Sequence, residues 1–326
     1  MRRAVLKSRY IVGIIVFITF FVSTHSVRAQ KSNANEVYQF LNLPYSAKAT
    51  SLGGINISHL GSDIGLAMYN PALLDPSMDK VVHLSVKSYF SNIQQYDFSG
   101  AHYLPKKNWV IGWGLHYMGY GNINMTDVSG NEMGNFLAND YVAQVSMASL
   151  FRRNINLGAT LKLIQSNYGM YKSTGLAMDL SMVYTSSNRL LRASILANNV
   201  GGQLSSYTEK ERLPLNIIMG VSKKLESAPI EFSLTAQRLS IWNNTFYDPG
   251  FYSGEGYKAP SAAQDIFNHL IMGAEANIGE QVSIDFGYNF IRRFDLNIQN
   301  QQNWFNGFSA GLGLSLIHIG RCRRRG

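Results

Sequence analysis

The sequence predicts an all-β fold, a transmembrane antiparallel β-barrel, and three observations support this prediction. Segments of roughly ten residues alternate apolar and polar side chains, the links between them alternate in length, and a secretory leader precedes them. Because a strand turns successive side chains to opposite faces, each segment has one apolar and one polar face. This combination is typical of bacterial outer-membrane barrels. A soluble β-sandwich or lipocalin-like barrel, whose strands also alternate, is the competing prediction.

The alternation is clearest in three segments. In 155–164, Leu161 would project to one side with the other apolar residues, and Lys162 to the opposite side with the polar ones. The segments 109–118 and 281–290 repeat this pattern. In a barrel that crosses a membrane, the apolar side chains face lipid and the polar ones face the lumen. We therefore expect a polar interior.

Link lengths distinguish the two ends of the expected barrel. Short links are predicted at 104–108, 152–154, 186–189, 224–229 and 279–281, and long links at 119–139, 201–213 and 241–268. Short turns on one rim and long loops on the other are typical of outer-membrane barrels. The expected strands cover 82–90, 95–103, 109–118, 140–150, 155–165, 174–184, 190–199, 214–224, 230–240, 269–278, 281–291 and 305–316, with a possible short ribbon strand within 121–128. The barrel is thus expected over 81–313.

Residues 1–29 have the organisation of a signal peptide. Basic residues come first, an apolar run occupies 11–22, and Ala29 ends a small-residue cleavage site before Gln30. A transmembrane helix is the alternative, but the run is shorter than the roughly 20 residues that span a bilayer. The mature chain is therefore expected to begin at Gln30.

The last residues, 314–326, resemble a translated sequencing adapter, so we expect a non-native tail and a natural chain that continues differently beyond about residue 313. The alternative is a basic patch for nucleic acid or anionic lipid. Removing the tail removes the single Cys and four Arg, which lowers the formal charge from +9 to about +5. Nucleic-acid partners, disulfides and cysteine metal sites are then not expected.

The segment 30–80 differs from the strands that follow it. It is rich in glycine and small residues and has few charges. Because small residues allow backbones to approach closely, we expect a plug or hatch packed inside the barrel. An ordinary N-terminal domain is the alternative.

Two runs in this segment, 42–54 (NLPYSAKATSLGG) and 69–74 (YNPALL), carry a family resemblance, and the run 198–202 agrees with it. The chain resembles the PorV/PorQ family of type IX secretion proteins of Bacteroidota, distant relatives of the FadL channels. The runs 40–44 and 287–293 favour the PorQ branch. The residues that this resemblance assigns to the plug motif are Asn42, Leu43, Pro44, Gly53, Gly54, Asn70, Pro71 and Ala72.

The resemblance implies a non-enzymatic outer-membrane scaffold that handles secreted cargo and its attachment to the cell surface. Its implied partners are other type IX proteins of the attachment complex and the anionic lipopolysaccharide, and no cofactor is implied. Members are expected to form barrels of about fourteen strands, so the twelve strands counted here would leave two unaccounted for.

One long link is a candidate surface for these partners. The loop 241–268 contains six aromatic residues among charged ones: Trp242, Phe246, Tyr247, Phe251, Tyr252 and Tyr257. Aromatic side chains provide large, rigid contact areas and are enriched at binding hot spots. The alternative is a loop folded over the barrel mouth, with these rings packed internally.

Two other functional classes compete with the scaffold. A FadL-like outer-membrane channel for a hydrophobic small molecule would use the N-terminal segment as a hatch, but the predicted lumen side chains are polar. An enzyme is not expected, because the G-x-S-x-G run at 307–311 lies inside the predicted strand 305–316 and not at the strand-to-helix turn of a nucleophile elbow. The seven His are scattered in sequence, so no metal site is expected either.

Overall fold

A computed structural model describes residues 36–241, 261–279, 281–296 and 305–315. The predicted signal peptide, the six aromatic residues of the candidate partner loop and residues 316–326 of the predicted tail lie outside this part of the chain. Among the described residues, no helix is long and apolar enough to cross a membrane.

Twelve strands form a single antiparallel sheet in which each strand pairs with its neighbours in sequence. The strands are β1 (Val82–Ser88), β2 (Gln94–Leu104), β3 (Trp109–Thr126), β4 (Glu132–Arg152), β5 (Ile155–Tyr168), β6 (Tyr171–Thr185), β7 (Leu191–Ser205), β8 (Asn216–Lys224), β9 (Ile230–Ala236), β10 (Leu270–Ile278), β11 (Val282–Asn289) and β12 (Phe308–Leu314). The predicted strands are confirmed, and the alternative of two stacked sheets is wrong. The described residues contain no ladder between β1 and β12.

Two predicted boundaries are wrong. The expected long loop 119–139 is mostly a hairpin, because β3 and β4 continue past a bulge at Gly119/Asn122 to a tight turn. In this turn the Asp127 carboxylate accepts hydrogen bonds from the backbone N–H groups of Ser129 and Asn131. The predicted strand 281–291 ends at Asn289 and continues as a helix.

The outward face of the sheet is apolar along its middle. Leu161 is 55% exposed, and similar exposed residues on neighbouring strands include Leu115, Val145, Met178 and Met219. Tyr96, Tyr117 and Tyr141 extend across β2, β3 and β4, with ring centroids 6.0 and 5.0 Å apart. Apolar belts and aromatic girdles are the outer surface of a membrane barrel, because exposure of such a surface to water is unfavourable.

The segment 36–80, hereafter the plug, lies against the inward face of the sheet. It contains two short helices, α1 (Ala47–Ser51) and α2 (Ile64–Tyr69), and three 3₁₀ turns (Gln39–Asn42, Pro71–Leu73 and Pro76–Met78). Every residue of α2 is buried. The plug supplies most of a core cluster that also contains inward residues of the strands, among them Ala148, Val183, Leu196, Ile218 and Ile271.

Polar caps fix the turns of the plug. The Ser46 hydroxyl accepts from the Ala49 N–H at the start of α1, and Asp63 accepts from the Leu66 N–H at the start of α2. Asn70 and Asp75 cap the last two 3₁₀ turns, each of which begins with proline. Caps satisfy N–H groups that have no partner within the helix, so these turns can be buried. Two further helices, α3 (Ala262–Asn268) and α4 (Phe290–Leu296), lie outside the plug and were not predicted.

The outward face generates a test of membrane placement. Leu161→Arg puts a charge at mid-strand, whereas Leu157→Arg on the same face lies about 13 Å along the strand, nearer the rim. We expect Leu161→Arg to lower the free energy of unfolding in lipid by about 2–4 kcal/mol, and Leu157→Arg by about 1 kcal/mol or less. Urea unfolding in bilayers measures both values. Equal effects of the two substitutions would contradict a lipid-facing belt.

Candidate functional site

The candidate functional site is the interface between the plug and the wall of strands. The plug forms hydrogen bonds or ion pairs with β2 and with each of the strands from β4 to β12. The wall partners, in strand order, are Gln95, Gln144, Asn156, Ser181, Ser194, Ser222, Glu231, Glu275, Asp285 and Ser309. The plug is therefore held on nearly every side by polar contacts.

The motif Asn70-Pro71-Ala72 lies at the centre of this interface. The fully buried Asn70 amide donates to the Ile57 carbonyl at 2.6 Å and to the Ser194 hydroxyl at 2.9 Å, and its oxygen accepts from the Ala72 N–H. A substituent on Gly158 of β5 would come within 2.2 Å of the Ala72 nitrogen. The motif thus orders the plug backbone where it touches the wall.

The two motif glycines are at a second point of close approach. Gly53 and Gly54 have φ of 99° and 113°, in the region that favours glycine. A Cβ on Gly287 of β11 would lie 2.1 Å from the Gly53 nitrogen, and the Gly53 carbonyl accepts from the Asn289 amide at 2.9 Å. Backbone therefore packs directly on backbone at this point.

The third part of the motif is nearer the plug's first turn. Asn42 ends the 3₁₀ turn and donates to the Gln39 side chain at 3.2 Å, and Leu43 is extended and partly buried. Pro44 is buried, and its carbonyl accepts from the Gln95 amide at 3.0 Å. Next to it the Tyr45 ring stacks on the His116 imidazole with centroids 3.9 Å apart. Burial raises the pKa of the Tyr45 phenol, so this ring stays neutral.

An ion pair that is fully removed from solvent joins β5 to β6 behind the plug. The Lys162 ammonium lies 2.8 Å from the Asp179 carboxylate, and both side chains have no exposed area. Lys162 also donates to the side-chain oxygens of Asn198 and Asn199 at 3.0 Å. Buried charges are tolerated when they are paired and hydrogen-bonded. The predicted inward orientation of Lys162 is confirmed, whereas its partners were not predicted.

A second charged cluster joins the plug to β9, β10 and β11. His59 Nδ1 lies 3.1 Å from Glu231 and 3.5 Å from Glu275, and Lys48 lies 3.0 Å from Glu275. Asp285 accepts from the Ser51 hydroxyl at 3.0 Å. A cavity of about 510 Å³ lies beside this cluster, between the plug and β12, and is lined by Lys48, Glu275 and Asp285 among others. Sequence reasoning missed this cluster, because His59 and Glu231 are 172 residues apart.

The fold, the apolar outer face and the filled interior define an outer-membrane β-barrel with an N-terminal plug. No family model matches the sequence, and no curated protein matches it.

Solved structures of similar fold exist. One is titled "CymD monoaromatic hydrocarbon channel", with 13% identity, a TM-score of 0.46, and coverage of 76% of this chain and 84% of that chain. The Pseudomonas putida toluene transporter TodX has 12% identity and a TM-score of 0.46, with coverage of 76% of this chain and 83% of that chain. The Ralstonia pickettii toluene transporter TbuX has 12% identity and a TM-score of 0.44, with coverage of 76% of this chain and 86% of that chain. Likeness at this level carries no argument about substrate.

The buried ion pair generates a test of the interior. Lys162→Met leaves Asp179 as an uncompensated buried charge, so we expect the free energy of unfolding in detergent to fall by about 3–5 kcal/mol. Adding Asp179→Asn removes that charge and should recover part of the loss. Lys172→Met, at an exposed position of β6, is the matched control, with an expected change within about 0.5 kcal/mol. A Lys162→Met effect as small as the control would contradict the buried pair.

Proposed function

We propose that this protein is a plugged outer-membrane barrel that acts as a non-enzymatic scaffold in type IX protein secretion. The observation that carries the proposal is the plug itself. The plug occupies the lumen at the level of the core and is held there by polar contacts with β2 and with β4 to β12. Partners would therefore bind the rim loops of the barrel and not its lumen.

The motif resemblance supports the specific pathway. The runs 42–54 and 69–74, which resemble the PorV/PorQ family, include the points where the plug backbone packs directly on the wall, at Gly287 and Gly158. The proposed partners are other outer-membrane proteins of the attachment complex and lipopolysaccharide, and the PorQ branch remains the proposed assignment within the family.

A FadL-like channel for a hydrophobic small molecule is the second candidate. The solved structures of similar fold are a monoaromatic hydrocarbon channel and toluene transporters, although their likeness shows the fold alone. The observation in this chain that favours it is the cavity beside β12, which lies where β1 and β12 form no ladder among the described residues. Its lining is mixed, with Val282, Leu312 and Leu314 beside the charged Lys48, Glu275 and Asp285. The charged groups are unfavourable for an apolar ligand.

Replacement of the six aromatic residues of the loop 241–268 tests the proposed scaffold function. We expect the variant in which the loop residues Trp242, Phe246, Tyr247, Phe251, Tyr252 and Tyr257 are all changed to Ser to lose co-purifying secretion proteins, because anchor aromatics dominate binding energy. Pull-down of the tagged protein from its native membranes, followed by mass spectrometry, measures this loss. The control is a variant in which the β3–β4 hairpin is shortened at residues 123–135. It should recover the same secretion proteins as the wild type, which would show that general damage to the rim does not cause the loss.

The same purified protein distinguishes the second candidate. Unchanged partner recovery together with a fatty acid or aromatic hydrocarbon that is recurrently extracted from the protein would favour the channel. Partner loss in the loop variant, with no such extract from the wild type, would favour the scaffold.

A further inference from the structure

Three carboxylates form a row on the inward face of the sheet. Glu275 of β10 is directly opposite Glu231 of β9 on one side and opposite Asp285 of β11 on the other. All three are more than nine-tenths buried. Like charges at directly opposed positions destabilise a sheet, so this row requires cations.

The plug supplies two groups to the row. Lys48 pairs with Glu275, and His59 lies between Glu231 and Glu275. The Asp285 Oδ1 atom is buried and has no hydrogen-bond partner among the described residues. The Arg192 guanidinium donates to the His59 carbonyl and also attracts Glu231. The three carboxylates therefore face two permanent positive charges, Lys48 and Arg192, and one further cation would balance the row.

The geometry suits a metal ion. The ligand atoms of His59, Glu231 and Glu275 all lie within 4.8 Å of one another. The imidazole nitrogen is 3.1 and 3.5 Å from the two carboxylates, close to the roughly 3.4 Å edge of a tetrahedron with metal–ligand bonds of about 2.1 Å. The Leu60 N–H donates to the Glu231 carboxylate at 3.0 Å. This bond orients the ligand, as outer-shell partners do in metal sites.

We propose that His59, Glu231 and Glu275 bind a divalent transition-metal cation, for which Zn²⁺ is the probe, and that this ion fastens the plug to β9 and β10. One imidazole and two carboxylates are a donor set that suits Zn²⁺. The cation balances the carboxylate row and bonds to a plug residue and two wall residues at once.

Lys48 is the competitor of the metal. Its ammonium occupies the position next to Glu275, and it lines the same cavity as Asp285. When the metal binds, Lys48 moves to the unpartnered oxygen of Asp285. Removal of the ammonium should therefore strengthen metal binding, an effect that a merely structural role of Lys48 would not produce.

Zn²⁺ titration of the tag-free protein in detergent, followed by calorimetry, tests the proposal. We expect one Zn²⁺ per chain, with affinity lowered in His59→Asn and Glu231→Gln by more than the roughly 10–100-fold that loss of an outer partner costs, and raised in Lys48→Met. The matched controls are His102→Asn and Glu209→Gln, both at exposed positions. Their affinity should be unchanged.

A second measurement needs no variant. Co²⁺ added to the wild-type protein should give the visible absorption bands of a nitrogen and oxygen site, and Zn²⁺ should abolish them. Zn²⁺ should also raise the temperature at which the folded band converts in a heat-modifiability gel, and chelation should reverse this shift. Absence of Co²⁺ bands, or equal Zn²⁺ affinity in the wild type and in His59→Asn, would contradict the proposed metal site.

Discussion

The structure depends on one constraint. The polar side chains that point into the lumen need hydrogen-bond partners, because the plug occupies the space that water would otherwise fill. A strand that crosses a membrane with an apolar outer face must turn its polar side chains inward. In this chain many of them are buried, and burial without a hydrogen bond is costly. The plug supplies these partners from its backbone carbonyls, N–H groups and side chains. The Asn70 amide donates to the Ser194 hydroxyl, and the Met68 carbonyl accepts from the Gln144 amide.

Glycine sets how closely plug and wall can approach. At Gly158 and Gly287 the plug backbone lies where a side chain would be, so ordinary residues at these positions would move the plug away from the wall and break its hydrogen bonds. The outer surface follows a different rule, since there the side chains only need to be apolar. The inner surface of the barrel therefore restricts residue size and type at individual positions, whereas the outer surface requires only apolar side chains.

The sequence predicts the strands well because their signal is local. Alternation with a period of two places Leu161 outward and Lys162 inward whatever the distant partners are. The contacts inside the lumen depend on long-range assembly, so neither the partners of Lys162 nor the meeting of His59 with Glu231 and Glu275 could be predicted. Helix α4 was missed because its first residue, Phe290, continues the apolar alternation of β11. The candidate partner loop stays a prediction, because its aromatic residues lie outside the described residues.

Cross-linking of the plug to the wall in membranes tests the central claim most directly. Ser58 and Ser222 lie with their hydroxyl oxygens 2.8 Å apart, and Cys322 can be replaced by Ser to remove the single thiol of the sequence. We expect Ser58→Cys with Ser222→Cys to form a disulfide in the outer membrane. Ser58→Cys with Val221→Cys, the neighbour that faces outward, should not. Linking of neither pair, or equal linking of both, would contradict a plug held against the inner wall.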